Sequence, residues 1–416
     1  MANAQFSIPL DLSNVEVIRV EVNERGYVIS VEITLEGTRC GRCGRRISVF
    51  HGYNEWVELR HLPILDRAVS IRYRPKGYEC PYCEGQPTTT QQPRWHKPGS
   101  TMTKAYERYL LKALIHSTIT DVSQKEGLSY DKVLGVMERC VADEVDWSGF
   151  KHLRVVGIDE IARKKGQGDY AVIVTSRDAQ GELRILGVLP DRQASTIETF
   201  LASIPEHLKR TIDSVCVDMY QPYHQAIQSA LPAADIVVDR FHVVKHYTDA
   251  ADTVRKKTMK DLKKRLSKAE YQALKGVHLA FHRHRANLSE TDRALLDRLF
   301  GYNPMLGLVY AFREGLFAIF EKHQGVAQAT QDLKAWMFLV REQHIPGFDA
   351  FLTTLQTHLT EIANFFKHRL TSGFVEGLNT KIRVLTRRCF GLFNLQHFFQ
   401  RLWLDVEGYR ALAYTH

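Results

Sequence analysis

Three short apolar segments, LRVVGID, SVCVD and DIVVD, end in the aspartates most suited to chemistry: Asp159, Asp218 and Asp239. Nearly continuous β-branched side chains are typical of strands buried on both faces of a sheet. Ligands of open α/β sheets gather at the carboxyl ends of strands, where we expect these carboxylates to lie. A single strand-end aspartate is most often a turn residue, whereas three of them on a consistent topology favour a functional site.

Asp159 and Asp218 should lie on neighbouring strand ends, where two carboxylates repel each other unless a divalent cation lies between them. Mg²⁺ prefers oxygen ligands and keeps water and substrate phosphate in its shell. Two such ions can activate a water or a 3′-hydroxyl and stabilise the leaving oxygen of an in-line displacement. A third carboxylate from a later helix would complete the set, and Glu376 is the candidate.

Glu376 belongs to a stretch from Thr371 to Leu392 whose apolar spacing predicts a helix. The glutamate falls on a side of this helix that otherwise holds amides and cations, including Arg383 and Arg387. Such a face makes sense if Glu376 binds a metal ion and the arginines meet phosphates. The alternative is an exposed glutamate that pairs with a nearby arginine.

Four of the seven cysteines form two tight pairs, Cys40 with Cys43 and Cys80 with Cys83. Each C-x-x-C turn can place two thiolates on one side of a zinc ion, and two such turns close a tetrahedral shell. Because a closed shell has no open position, the pattern predicts a structural rather than a catalytic zinc. The alternative is two unrelated pairs of free thiols.

Beyond the cysteine pairs, the segment from Ile119 to Val133 predicts a short helix, a turn at Gly127 and a second helix. This is the layout of a helix-turn-helix, although short helical hairpins without DNA contacts are also common. The second helix would present four side chains to a DNA groove: Ser129, Tyr130, Lys132 and Arg139.

The segments around the three aspartates predict the element order strand, strand, strand, helix, strand, helix, strand. This order resembles the ribonuclease-H-like fold of polynucleotidyl transferases and integrases. A long helical region follows, and it resembles the all-helical insertions that split some transposase catalytic domains. Near its start, Arg255, Lys256 and Lys257 open a dense basic run. Such a run predicts contact with a DNA backbone, and a solvated face is the alternative.

The composition favours a nucleic-acid partner over a membrane. The net charge is +9 and the pI about 9.1, which suggests a polyanionic partner. No apolar run approaches the length of a membrane span, and the first residues lack the features of a signal peptide. We therefore expect a cytoplasmic, nucleoid-associated protein with reduced thiols.

Four segments resemble motifs of the DDE transposases of the ISL3 insertion-sequence family: GIDE at 157–160, VDMYQPYHQAI at 217–227, VVDRFHVVKH at 237–246 and the stretch at 372–394. The two C-x-x-C pairs resemble that family's N-terminal zinc-binding domain, which a helix-turn-helix follows. The likeness covers nearly the whole chain, and the motifs occur in the family's order.

This resemblance implies a DNA transposase whose Asp159, Asp218 and Glu376 bind Mg²⁺, or Mn²⁺ in its place. Asp239 and His242 match the family's D-x-F-H element. The resemblance leaves open whether Asp239 is a metal ligand or a group behind the ligands. His242 would orient a phosphate or a carboxylate, and a structural role is an equal alternative.

The predicted fold is multidomain: a zinc-binding β domain, a helix-turn-helix and a ribonuclease-H-like α/β catalytic core interrupted by a long all-α insertion. The predicted segments are 1–92 (zinc-binding), 93–148 (helix-turn-helix), 149–245 (first part of the core), 246–368 (insertion) and 369–416 (last part of the core, with Glu376).

The resulting hypothesis is an insertion-sequence transposase that binds terminal inverted repeats, hydrolyses the phosphodiester at the element end and joins the freed 3′-hydroxyl to target DNA. Arg383, Arg387 and Arg388 would hold phosphates. Because two DNA ends must be paired, a homodimer or larger assembly is expected. The alternatives are a non-catalytic zinc and helix-turn-helix regulator derived from a transposase, and a ribonuclease-H-like nuclease acting on junctions or hybrids.

Overall fold

The computed structural model describes residues 8–24, 26–162, 170–178, 181–368, 373–389 and 394–413. The chain divides into two compact units. The first comprises Met1–Ala142 together with Glu407–His416, and the second comprises Asp143–Val406. Among the described residues, no helix combines the length and the apolarity needed to cross a bilayer.

The first unit begins with small sheets. Its strands are β1 (Val15–Asn23), β2 (Gly26–Ile33), β3 (Thr38–Arg39), β4 (Arg46–Ile47), β5 (Val49–Tyr53), β6 (Val57–Ile64), β7 (Arg67–Tyr73), β8 (Lys76–Glu79) and β9 (Thr88–Thr90). They form a sheet of order β1-β2-β7-β6, a sheet of order β5-β8-β9 and the ribbon β3-β4. Alternating side chains of β2 and β7, such as Ile29 and Ile71, pack into one core, which fixes the register of the larger sheet.

Three helices follow in the first unit: α1 (Lys104–Leu114), α2 (Ile119–Glu126) and α3 (Tyr130–Cys140). The Thr118 side chain caps α2 by accepting a hydrogen bond from the backbone N–H of Asp121. In the same way, the Ser129 side chain caps α3 by accepting one from the backbone N–H of Lys132. Between these helices, Gly127 adopts the left-handed conformation with φ of 62°, which a glycine accepts without a Cβ clash. The predicted helix, glycine turn and second helix are therefore present.

The second unit is built on a mixed five-stranded sheet. Its elements are β10 (Arg154–Ala162), β11 (Tyr170–Arg177), β12 (Leu183–Leu189), α4 (Ala194–Ser203), α5 (Glu206–Lys209), β13 (Ile212–Val217), α6 (Gln221–Ala230) and β14 (Asp235–Val238). The strand order is β12-β11-β10-β13-β14, with β10, β11 and β12 antiparallel and β10, β13 and β14 parallel. The predicted order of elements is observed, with the short α5 in addition.

Side chains on both faces of this sheet are buried, which explains its nearly continuous apolar strands. On one face, Val156, Ile158 and Val215 pack in a cluster with residues of α4 and α6. On the other face, Ile161 and Ile173 pack with residues of two helices from the end of the chain, α15 and α16, whose bounds are given below.

A long helical region separates β14 from these last helices. Its helices are α7 (Arg240–Arg265), α8 (Lys268–Gln272), α9 (Val277–His282), α10 (Glu290–Tyr302), α11 (Pro304–Glu321), α12 (Val326–Glu342), α13 (Asp349–Thr357) and α14 (Leu359–His368), followed by α15 (Gly373–Arg388) and α16 (Leu395–Ala411). Tyr247, Trp336 and Phe351 contact one another within its core. The predicted boundary at residue 245 falls inside α7, and the end of α16 groups with the first unit.

Candidate functional site

The register of the central strands brings the three predicted aspartates level with one another. The pairing of β10 with β13 ends at Gly157 and Cys216, so Asp159 and Asp218 occupy corresponding positions two residues beyond this last pair. The register of β13 on β14 extends the same level to Asp239. Neighbouring strands lie about 4.8 Å apart. Among the described residues, however, the ligand oxygens of Asp159, Asp218 and Asp239 do not all lie within 4.8 Å of one another, so the structure aligns the three backbones without bringing the three carboxylates together. We call these three residues the aspartate row.

The first two carboxylates of the row are held by nearby donors. Asp159 Oδ1 accepts a hydrogen bond of 2.7 Å from the backbone N–H of Glu160. Asp218 is 41% exposed in its side chain. Its Oδ1 accepts a hydrogen bond of 2.5 Å from the backbone N–H of Met219 and lies 3.5 Å from Nδ1 of His242. His242 therefore lies beside a carboxylate of the row, where the predicted role of orienting a carboxylate would require it to be.

Asp239 is placed differently, because it is only 4% exposed. Its Oδ1 accepts a hydrogen bond of 3.1 Å from the backbone N–H of Phe241 and so caps the N-terminus of α7. A capping aspartate satisfies one of the unpaired backbone donors of a helix start and interacts favourably with the helix dipole. Asp239 therefore has a structural role, the capping of α7, that does not require a metal ion.

The helix that carries Glu376 covers the sheet face onto which Asp159 projects. Side chains alternate along a strand, so Asp159 shares a face with Ile161. Ile161 packs in one cluster with Leu378 and Ile382 of α15, and α15 contacts β10. The apolar stripe predicted for this helix thus packs on the sheet. The Glu376 side chain lies outside the described residues.

The arginines predicted to hold phosphates fall into two groups. Arg383 and Arg387 are exposed on α15. Arg388 donates a hydrogen bond to the carboxylate of Asp405, which is buried. An arginine engaged with a buried carboxylate has a structural role whether or not it also meets a phosphate.

A group of interacting side chains beside the aspartate row was not predicted from the sequence. Glu160 follows Asp159 but projects to the opposite face, where the Tyr223 hydroxyl donates a hydrogen bond of 2.6 Å to its Oε1. Burial, followed by the contact with Glu160, raises the pKa of Tyr223. Arg192 lies 3.6 Å from the other carboxylate oxygen of Glu160. Side chains alternate between the two faces of a strand, so the sequence could have predicted that Glu160 and Asp159 project from opposite faces of β10.

The four predicted zinc ligands converge in the first unit. The Sγ atoms of Cys40 and Cys83 are 4.0 Å apart, those of Cys43 and Cys80 are 3.7 Å apart, and all four lie within 4.8 Å of one another. A tetrahedral zinc with Zn–S bonds of about 2.3 Å requires sulfur separations of about 3.8 Å. The all-sulfur donor set and its spacing therefore fit a structural zinc ion. We call these residues the cysteine cluster.

Backbone geometry favours the thiolate form of Cys40, one member of the cysteine cluster. Cys40 directly follows β3 and Cys80 directly follows β8, so each C-x-x-C turn is anchored by a strand. The backbone N–H groups of Cys43 and Arg42 point at the Cys40 sulfur and lower its pKa to about 6. Because the thiolate is the form that binds metal, this local geometry prepares Cys40 as a ligand.

The residues predicted to contact DNA are exposed to different degrees. Ser129, Tyr130 and Lys132 are exposed at the start of α3. Arg139, at the end of the same helix, donates a hydrogen bond of 2.9 Å to the buried carboxylate of Glu107.

The basic run on α7 is also partly engaged within the chain. Arg255 and Lys256 both pair with Asp252, and Arg255 is half-buried. Lys257 is exposed. This arrangement leaves the outer side of α7 strongly basic while Arg255 has a local partner.

Comparison with known proteins decides the family. A family model described as a transposase matches residues 156–402, more than half of the chain. A model of the helix-turn-helix domain of transposase family ISL3 matches residues 91–141, which include α1, α2 and α3. The chain belongs to the ISL3 family of transposases. The resemblance drawn from its motifs is thereby confirmed, as is the helix-turn-helix.

Similarity to individual transposases extends along nearly the whole chain. The transposase for insertion sequence element IS1001 of Bordetella parapertussis is 28% identical over 399 residues, which cover 94% of this chain and 95% of that protein. The transposase for IS1557 of Mycobacterium tuberculosis is 26% identical over 395 residues, which cover 89% of this chain and 86% of that protein. The cysteine cluster, the helix-turn-helix and the aspartate row thus all belong to an ISL3-family transposase.

Proposed function

We propose that this ISL3-family transposase is of the DDE type and acts on the ends of its insertion sequence by metal-dependent DNA hydrolysis and strand transfer. The observation that carries the proposal is the aspartate row, in which Asp159 and Asp218 occupy corresponding positions two residues beyond the last pair of the parallel strands β10 and β13. The packing of α15 on the same sheet face supports Glu376 as the third carboxylate.

The topology of the second unit supports a ribonuclease-H-like core. Three antiparallel strands come first, and the first of them, β10, then pairs in parallel with β13, which pairs in parallel with β14. Helices cover both faces, and an all-helical region lies between β14 and α15. In such a core the carboxyl ends of the parallel strands are where a substrate binds.

Asp159, Asp218 and Glu376 would hold Mg²⁺ or Mn²⁺, since their donor atoms are all carboxylate oxygens. When bound, two such ions activate a water or a 3′-hydroxyl and stabilise the leaving oxygen of the phosphodiester. The chain's own contribution is positioning. His242 lies beside the Asp218 carboxylate, and the Tyr223 hydroxyl holds Glu160 at the end of the strand that carries Asp159.

The remaining predicted residues would bind DNA and zinc. The cysteine cluster would hold a structural Zn²⁺, and the helix-turn-helix would recognise the terminal inverted repeats with Ser129, Tyr130, Lys132 and Arg139. Arg255, Lys256 and Lys257 on α7 and Arg383, Arg387 and Arg388 on α15 would meet the DNA backbone. Pairing of two ends calls for a homodimer or larger assembly on DNA, in the cytoplasm and at the nucleoid.

The proposal is tested by removing one carboxylate charge at a time. Asp218→Asn and Glu376→Gln should each reduce Mg²⁺-dependent cleavage of DNA that carries the element ends by about 10³-fold or more, because each removes several kcal/mol of charge stabilisation. Binding of the same DNA, measured by electrophoretic mobility shift, should be unchanged.

Asp213→Asn is the matched control, because Asp213 lies on the same strand, β13, in an exposed ion pair with Arg154. This variant should cleave as well as wild type. Cleavage by Glu376→Gln at the wild-type rate would refute the catalytic assignment. If the wild-type chain bound the ends but never cleaved them in Mg²⁺ or Mn²⁺, the protein would be a DNA-binding regulator.

A further inference from the structure

We propose that His224, His358 and Glu361 bind a divalent transition-metal ion of the Zn²⁺ class, at a site separate from both the aspartate row and the cysteine cluster. His224 lies on α6, His358 lies between α13 and α14, and Glu361 lies in the first turn of α14. One donor atom from each lies within 4.8 Å of the other two. The two imidazole rings meet edge to face with their centroids 4.7 Å apart.

The hydrogen bonding of His224 fixes which of its nitrogens can bind a metal. Its Nε2 lies 3.0 Å from the backbone carbonyl oxygen of Asp218. A carbonyl oxygen only accepts, so Nε2 carries the proton and Nδ1 of the neutral ring carries a lone pair. That Nδ1 lies 3.8 Å from Oε1 of Glu361, which is too long for a hydrogen bond.

Like Nδ1 of His224, polar atoms of His358 and Glu361 are buried. His224 and His358 are only 2% and 4% exposed. Within the described part of the chain, the Nδ1 atoms of both rings and Oε2 of Glu361 are buried and make no hydrogen bond. Each buried polar atom left without a partner costs about 1–3 kcal/mol, so three of them in one place require an explanation.

A bound cation supplies that explanation. Two imidazoles and one carboxylate are a common ligand set for zinc and other first-row transition metals, whereas Mg²⁺ prefers oxygen ligands alone. Donor atoms around one such ion lie roughly 3.0–3.5 Å apart, given metal–ligand bonds of about 2.1 Å. The observed distance of 3.8 Å between Nδ1 of His224 and Oε1 of Glu361 exceeds this range by only a few tenths of an ångström. Burial lowers the pKa of His358, which keeps its ring in the neutral form that binds metal.

The ion would join the helical region to the sheet immediately behind the aspartate row. Asn364 of α14 already donates a hydrogen bond of 2.9 Å to the carbonyl of Ile236 in β14. A metal bound at Nδ1 of His224 would strengthen the Nε2–H donor that holds the Asp218 carbonyl. The site would therefore position the backbone that carries Asp218 without touching a substrate.

The test counts zinc ions in the full-length chain, produced without a histidine tag. Purified protein is equilibrated with Zn²⁺ in excess Mg²⁺, which favours Mg²⁺ at the all-oxygen aspartate row, and loosely bound metal is removed. Inductively coupled plasma mass spectrometry should find about two zinc ions per wild-type chain, one of them in the cysteine cluster. Glu361→Gln and His358→Gln should each retain about one.

His246→Gln is the matched control, since His246 lies close enough to lower the pKa of His358 but is not among the three converging residues. It should retain both ions. Co²⁺ provides a second measurement: the spectrum of wild type minus that of Glu361→Gln should show visible d–d bands without a thiolate charge-transfer band. Equal zinc content in wild type and Glu361→Gln, or loss of the ion in His246→Gln, would overturn the assignment. The first result would mean that a proton rather than a metal lies between His224 and Glu361.

Discussion

The cysteine cluster and the aspartate row both gather side chains that suit metal ions, but the chain builds them in different ways. In the cluster, each C-x-x-C turn supplies two ligands from a few consecutive residues, directly after a short strand. In the row, each aspartate comes from a different strand, and only the register of the sheet brings them level. Local geometry provides the ligands of the first site in pairs, whereas long-range strand pairing places each residue of the second site singly.

The difference extends to the cysteines themselves. In the cluster, backbone N–H groups lower the pKa of Cys40 to about 6. Beside the row, burial and then the nearby Asp239 raise the pKa of Cys216 to about 12. Backbone donors therefore prepare Cys40 as a metal ligand, whereas burial keeps Cys216 as an inert, protonated core residue. Within the cluster, burial and the neighbouring thiols raise the pKa of Cys83 to about 12, so a bound metal ion would be needed to deprotonate it.

The largest effect that separates the two regions should come from Cys80→Ser. Structural zinc contributes roughly 10–16 kcal/mol in small zinc domains, as much as or more than the stability of a typical domain. We expect this variant to lose the zinc of the cysteine cluster and the protection of β8 against hydrogen exchange. Protection of β13 should be unchanged, because β13 belongs to the other unit.

Cys140→Ser makes the same chemical change in the same unit, outside the cluster, and should retain the zinc and the protection of β8. Hydrogen exchange followed by mass spectrometry reports on both strands in one experiment. Loss of protection in β13 as well as β8 would show that the two regions do not fold independently. Full zinc content in Cys80→Ser would remove Cys80 from the ligand set.

A smaller effect should appear in the pH dependence of the second unit. Between the ordinary thiol pKa of about 8.5 and the raised pKa of about 12, the unfolded chain releases the Cys216 proton but the folded chain retains it. Stability is therefore complete below about pH 8.5 and falls above it by up to ~1.4 kcal/mol per pH unit. From pH 8.5 to pH 10, wild type should lose about 1.6 kcal/mol more than Cys216→Val.

Urea unfolding followed by circular dichroism at several pH values measures this difference. Cys216→Ala is a companion variant, since it also lacks the thiol but leaves more space than valine. The two variants should differ from each other in stability by a constant amount and share the same pH dependence. A pH dependence in Cys216→Val as steep as in wild type would mean that another group titrates.

The contrast also explains what the sequence could predict. The convergence of the four cysteines could be predicted because each C-x-x-C turn supplies two thiolates, and two such turns complete one tetrahedral zinc shell. The three strand-end aspartates were predicted because β-branched runs and a strand order of known type constrain where strands end. The order of elements through β14 followed from the same periodicity.

Features that depend on packing between distant segments were not accessible in this way. His224, His358 and Glu361 lie far apart in sequence, and no spacing relates α6 to α14. The engagement of Arg139 with Glu107 and of Arg388 with Asp405 likewise depends on how helices pack, so an arginine on a predicted face cannot be assigned to DNA from periodicity alone. The capping role of Asp239 required knowing that α7 begins immediately after β14.

The smallest effect should come from substitutions of Asp239. Like Cys40 of the cysteine cluster, Asp239 is held by the backbone of neighbouring residues, since it caps α7. Asparagine caps helices about as well as aspartate, whereas alanine costs about 1 kcal/mol. We therefore expect Asp239→Asn to keep its stability within ~0.5 kcal/mol and Asp239→Ala to lose about 1 kcal/mol in urea unfolding.

If Asp239 is a cap rather than a metal ligand, Asp239→Asn should also cleave DNA within about tenfold of wild type, a difference of at most ~1.4 kcal/mol in activation free energy. A loss as large as that expected for Asp218→Asn would instead make Asp239 a ligand, and the row would then consist of three equivalent carboxylates.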